Sequence, residues 1–105
     1  MAHNYTVIFR EEFLDELIEI QEYLEGESFG RGKKFISRIY DFMMDTIERM
    51  PFMFQEYPYK ITEDKIYRKA IFETQYVIIY KVIIDEIFIL KIHHTSRNPD
   101  NIQFD

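Results

Sequence analysis

Three runs rich in Ile, Val, Tyr and Phe stand almost end to end in the last third of the chain, at about 65 to 72, 76 to 84 and 86 to 93. Only Glu73-Thr74-Gln75 and the Asp85-Glu86 corner separate them. Connections that short leave room for hairpins and none for a helical crossover, so this third must fold as an antiparallel meander. The second and third runs are apolar at nearly every position, which predicts a central strand pair covered by helices on one face and partly covered on the other.

The upstream chain supplies the cover. Tyr5-Thr6-Val7-Ile8-Phe9 is β-branched and aromatic, too short for a helix, and reads as a first strand. From Glu11 the period changes: Phe13, Leu14, Leu17, Ile18 and Leu24 recur at helical spacing, acids crowd the first turn, and Gly26 supplies a stop. Phe35, Ile36, Ile39, Met43, Ile47 and Met50 mark a second amphipathic helix ended by Pro51. The short link at 27 to 32 makes the two helices antiparallel neighbours, with Leu17, Ile18, Ile39 and Met43 expected against the sheet. The order is β-α-α-β-β-β: an α+β domain, one unit over 1–105, with a helical hairpin on one face of a small, mainly antiparallel sheet.

Ten Phe and eight Tyr give so short a chain a substantial core without disulfides, and the absence of cysteine removes thiolate chemistry. Net charge is −6, which disfavours indiscriminate nucleic-acid binding. The acidity is local, however. Residues 11 to 27 hold eight of the nineteen acids and no base, so the rest of the chain carries thirteen bases against eleven acids. No apolar run approaches the ~18 residues of a membrane span, and MAHNYTVIFREEF lacks a signal-peptide core, so a cytoplasmic protein is expected.

Strict alternation would place Ile66, Arg68, Ala70, Phe72, Val77, Ile79, Lys81, Ile87, Ile89, Lys91 and His93 on the open face, since lysines must reach water. Ile71, Tyr76, Ile78, Tyr80, Val82, Phe88, Leu90 and Ile92 would then face the hairpin. His93 and His94 precede Thr95, Ser96 and Arg97 at the strand end. An imidazole that moves protons beside a guanidinium that neutralises a phosphorane could cleave RNA, although a structural or partner-contacting histidine is the commoner case. Adjacent strand residues point to opposite faces, so the pair does not make a two-ligand metal site, and neither metal nor cofactor is expected. Phosphate loop, zinc-helix and nucleophile-elbow motifs are lacking.

Strand, helical hairpin and meander, closed by RKAIFETQYVIIYKVIIDEIFILKIHHTSRNP, together resemble the RelE/ParE toxin superfamily of type II toxin–antitoxin systems. The resemblance covers nearly the whole chain and is closer to the ParE branch. It implies a toxin neutralised by a cognate antitoxin, in a hetero-oligomer, with a role in plasmid stabilization. Arg68 falls where ribosome-dependent ribonucleases of the superfamily place a basic strand residue, and Arg97 where they contact phosphate. Ala70 and Val77 stand where such enzymes carry further bases, and their C-terminal catalytic Tyr or His has no counterpart among Asn101 to Asp105. The resemblance therefore implies inhibition of DNA gyrase by protein contact. The alternatives are an mRNA interferase acting on ribosome-bound mRNA through Arg68, Arg97 and His93 or His94, and a degenerate member that only binds antitoxin. Leu14, Tyr23, Phe29 and Tyr40, with Arg97, are the candidate partner-binding residues.

Overall fold

The computed structural model describes residues 4–98; the tail positions Asn101 to Asp105 lie outside them. Strand β1 (Thr6–Phe9) leads into helix α1 (Glu11–Glu27), helix α2 (Arg31–Phe42) and a π-helical turn (Met43–Ile47). Strands β2 (Tyr67–Phe72), β3 (Tyr76–Ile83) and β4 (Glu86–His94) follow. The sheet order is β1-β4-β3-β2, with β1 parallel to β4 and the other pairings antiparallel. The meander is as the short separators require.

Helix α1 starts with Glu11 and Glu12 at its positive end. It runs through Gly26 to Glu27, one residue past the expected stop, and ends where Ser28 turns extended and donates its N–H to Leu24 O. Gly30, at φ 83°, then reverses the chain in a left-handed conformation that favours glycine. The Glu25 carboxylate accepts the N–H groups of Gly30 and Gly32 at 2.6 and 3.0 Å, so α1 itself caps α2. Its pKa is lowered, first by the Gly30 N–H. After α2, the Glu48 N–H reaches Met43 O, five residues back, and the widened turn carries Met43 and Ile47 into the core.

The main core joins Phe13, Leu17 and Leu24 of α1, Phe35 and Ile39 of α2, and the sheet face bearing Ala70, Phe72, Ile78, Tyr80, Ile87 and Ile89. A second cluster on the opposite face gathers Tyr57, Tyr67, Val77, Ile79 and Leu90. Segment 51–66 borders it, held by Tyr57 N–H to Tyr67 O, Lys69 N–H to Gln55 O, and the buried Tyr80 hydroxyl donating to Pro51 O at 2.6 Å.

Strict alternation therefore misplaces β2 and the part of β4 up to Leu90. Ala70 and Phe72 pair directly with Ile78 and Tyr76, and directly paired residues share a face, so both join the helices rather than the open side. Ile71 is the exposed one. On β4, Tyr80 pairs with Ile89 but Ile79 pairs with Lys91, so Leu90 is an extra residue that breaks the alternation. Ile87 and Ile89 face the hairpin, and Leu90 and Phe88 face the other way. The expected stripe holds for Leu17, Ile39 and Met43; Ile18 is corrected to the surface, at 49% exposure.

Candidate functional site

The turn after β4 assembles the site. Thr95 N–H binds Gln75 O at 2.8 Å and Arg97 N–H closes back on His94 O at 3.0 Å, which holds the chain end against the β2–β3 hairpin. The adjacent histidines diverge, and their hydrogen bonds fix opposite tautomers. His93 Nδ1 lies 2.9 Å from His94 O; a carbonyl only accepts, so Nδ1 carries the proton and Nε2 a lone pair. His94 Nδ1 accepts the Ser96 N–H at 3.1 Å, so its proton sits on Nε2. His93 is only 7% exposed, and its Nε2 is buried with no hydrogen-bond partner among the described residues. Burial, foremost, holds its pKa below the usual histidine value, and Arg97 adds to this.

His93 forms part of the wall of a cavity of about 510 Å³ between α1 and the strand ends. Glu16, Glu19, Tyr23 and Glu27 line the helix side; Tyr76, His94 and Arg97 line the other, and Arg31 closes one end. Arg31 is bound to Glu27 at 2.7 Å. At the opposite end Lys91 does not reach water as expected. It is 5% exposed, and its Nζ meets Glu12 at 2.8 Å and Glu16 at 3.1 Å. Glu16 also accepts the Ile92 N–H at 3.2 Å, covering a strand edge that β1 leaves open beyond Ile89. This lattice was missed in the sequence, yet its signal is present: positions 12, 16, 19, 23 and 27 recur every three or four residues along one side of α1.

Arg68 does not join this group. It pairs with Tyr80, whereas His94 pairs with Tyr76, four residues or roughly 13 Å further along the sheet. Its guanidinium donates to Phe54 O at 2.9 Å and Lys65 O at 3.0 Å and lies over the Phe52 ring, tying segment 51–66 to β2. Among the four candidate nucleophile-or-phosphate groups, then, His93, His94 and Arg97 converge and Arg68 stands apart.

The hairpin candidates occupy three places. Leu14 and Tyr40 flank an apolar groove of about 100 Å³ between α1 and α2, floored by Phe13, Leu17 and Ile39. Tyr23 belongs to the larger cavity on the other side of α1, and Phe29, 99% exposed, stands at the hairpin tip. Three or more His, Asp or Glu side chains able to hold a metal do not meet anywhere among the described residues, and no described helix is long and apolar enough to cross a membrane.

The model of the ParE toxin of type II toxin–antitoxin systems, parDE, matches residues 7–99, which takes in all of the sheet but Thr6, both helices and the His93 to Arg97 turn. The chain belongs to the ParE toxin family. Among solved structures, a chain of the chromosomal ParDE toxin–antitoxin system from P. aeruginosa superposes with a TM-score of 0.62 at 15% identity, covering 90% of this chain and 100% of that one. At that identity the likeness speaks for the fold. Comparison with curated protein sequences gave no match. In this ParE-family chain the β-α-α-β-β-β order of the superfamily is thus present, with the helical hairpin on one face of a mixed, mainly antiparallel sheet.

Proposed function

We propose that the chain is the toxin of a type II pair, held in check by a cognate antitoxin, and that it acts in the cytoplasm on DNA gyrase by protein contact rather than by cutting RNA. The observation that carries the choice of target is the engagement of Arg68. A group that stabilises a cleaved phosphate must be free to meet it. Arg68 instead donates to two backbone carbonyls on a different part of the sheet from His93 and Arg97. Val77, where the resemblance would call for another base, is buried. The acids of α1 further oppose approach to a phosphate backbone. Antitoxin docking is assigned to the groove bordered by Leu14 and Tyr40, an apolar trough between two helices suited to the apolar side of a partner segment that folds as it binds.

Purified protein assayed for inhibition of gyrase supercoiling and for translation-dependent mRNA cleavage separates the readings. Supercoiling inhibition without cleavage is the expected result. Cleavage without inhibition would establish the interferase, and inactivity in both, with retained antitoxin binding, would mark a binding-only member.

A further inference from the structure

The size of the groove between α1 and α2 limits what can fill it. Its space is about 100 Å³, floored by Phe13, Leu17 and Ile39 and rimmed by Leu14 and Tyr40. Small-molecule sites are several-fold larger, at roughly 300–1,000 Å³, and a cavity that holds one benzene ring has roughly 150 Å³. The groove therefore seats one aliphatic side chain and is too small for an aromatic ring. Ile18, 49% exposed, stands one helical turn beyond Leu14 and continues the apolar strip along α1. A helix with apolar residues four apart fits both places, one side chain entering the groove and the next covering Ile18.

The rim beside this strip is negative and uncompensated. Glu11 lies one turn before Leu14 and Asp15 directly follows it; both are exposed, and neither has an ion-pair partner among the described residues. Neighbouring bases are engaged elsewhere: Arg10 lies over Phe88 on the far face of the sheet, and Lys91 is held by Glu12 and Glu16. Across the groove Tyr40 is followed by the exposed Asp41, and Lys33 stands seven residues, about 10 Å, back along α2. The occupant must therefore bring positive charge next to its apolar anchor. A second copy of the chain does not suit, because an isologous contact sets the trough against itself and supplies no ridge to fill it.

We propose that the groove selects a helical partner segment that seats one aliphatic side chain between α1 and α2, lays a second apolar residue on Ile18, and brings a Lys or Arg beside Glu11 and Asp15. That this segment belongs to the antitoxin rests on the reading given above; the size and charge of its side chains follow from the groove itself.

The test is ¹⁵N NMR titration of the full chain with capped, alanine-based peptides of about 18 residues, long enough to hold a helix in water. The reference peptide carries leucines four apart and lysines on one flank. Three others replace the lysines by glutamate, the first leucine by alanine, or the first leucine by phenylalanine. Saturable shifts around Leu14 and Tyr40 are expected with the reference, and affinity should fall about fivefold with glutamate or alanine and about threefold with phenylalanine. Salt at about 1 M should remove most of the difference between lysine and glutamate. Glu11→Gln with Asp15→Asn, both exposed and so expected to fold normally, should erase the lysine preference. Glu63→Gln with Asp64→Asn removes the same charge from the segment beside the opposite sheet face and should not. Overturning outcomes are no saturable shift at the groove, equal binding of lysine and glutamate peptides, alanine or phenylalanine bound as tightly as leucine, equal loss of preference in the two double variants, or a dimer of the protein that Tyr40→Ala disperses. The antitoxin reading fails separately, if Tyr40→Ala leaves antitoxin affinity unchanged while the peptide preferences stand; that outcome supports the size and charge rule and assigns it to another helical partner.

Discussion

At the scale of single residues, the joint between the helices turns on one missing side chain. A Cβ at Gly32 would lie 2.4 Å from Gln21 O, a backbone atom that can retreat only if α1 and α2 separate. Gly32→Ala should therefore cost about 2 kcal/mol and lower the melting temperature by roughly 10 °C, as a thermal melt would show. Ile84 presents the opposite case. It is 86% exposed in a left-handed conformation, φ 55°, so it has strain and little packing to lose. Ile84→Gly should raise stability by about 0.5 kcal/mol in chemical denaturation, the relief of strain exceeding the added chain entropy. His93 makes stability depend on pH. Its folded pKa lies below the unfolded value, so the unfolded chain binds more protons in the interval between them. Its contribution is present above the unfolded pKa, near 6.5, and is lost as pH falls through the lowered folded value. Denaturation midpoints should drop as pH falls below about 6.5, and a stability flat there would contradict the buried neutral imidazole.

Among the elements, β4 holds the least local information in its sequence and the most consequence in the fold. A period of two runs along EIFILKIHH without any mark of the extra residue at Leu90. The rule that lysine seeks water then carried one alternation straight through the bulge from Lys91, which put Ile87, Phe88, Ile89 and Leu90 on the wrong faces while Ile92 beyond it was placed correctly. What the rule omits is that a helix rich in acids can take the place of water. The hairpin, the meander and the inward stripe were legible because each is fixed by spacing within a dozen residues. The bulge, the facing of β2 and the partners of Lys91 depend on pairings across the chain; Glu12 and Lys91 are 79 residues apart. The site divides likewise: the nearness of His93, His94 and Arg97 follows from sequence, but the tautomers, the cavity and the remoteness of Arg68 do not. The lysine's pKa is raised although burial, the largest influence, lowers it, so the two carboxylates together outweigh desolvation. Lys91→Ala should destabilise the domain by about 2 kcal/mol, less than a fully buried pair because Glu12 is largely exposed. Glu12→Gln should cost under about 0.5 kcal/mol, since Glu16 still holds the ammonium. Equal losses in the two variants, measured by urea unfolding, would show that Glu16 is not the dominant partner.

For the whole molecule, helix α1 is a ridge with a separate recess on each side, the apolar groove toward α2 and the polar cavity toward the strand ends. A toxin must accept its antitoxin and also meet its target, and two recesses allow these to be distinct surfaces. Arg97 belongs to the cavity side, where it sits exposed after the last strand with no side-chain hydrogen bond among the described residues, so its guanidinium can offer planar donors to a carboxylate or backbone of a target protein. Leu14 and Tyr40 belong to the groove and are exposed at its rim. Arg97→Ala should leave the melting temperature and antitoxin affinity unchanged while reducing growth arrest at matched expression. Tyr40→Ala should do the reverse, weakening the antitoxin by about 1–2 kcal/mol in calorimetry, as removal of an interface aromatic does, while leaving arrest intact. Arrest undiminished by Arg97→Ala would remove that residue from the target surface. If instead both variants lose arrest and antitoxin affinity together with full retention of fold, the two recesses act as one surface, and the antitoxin neutralises by covering the target-binding groups directly.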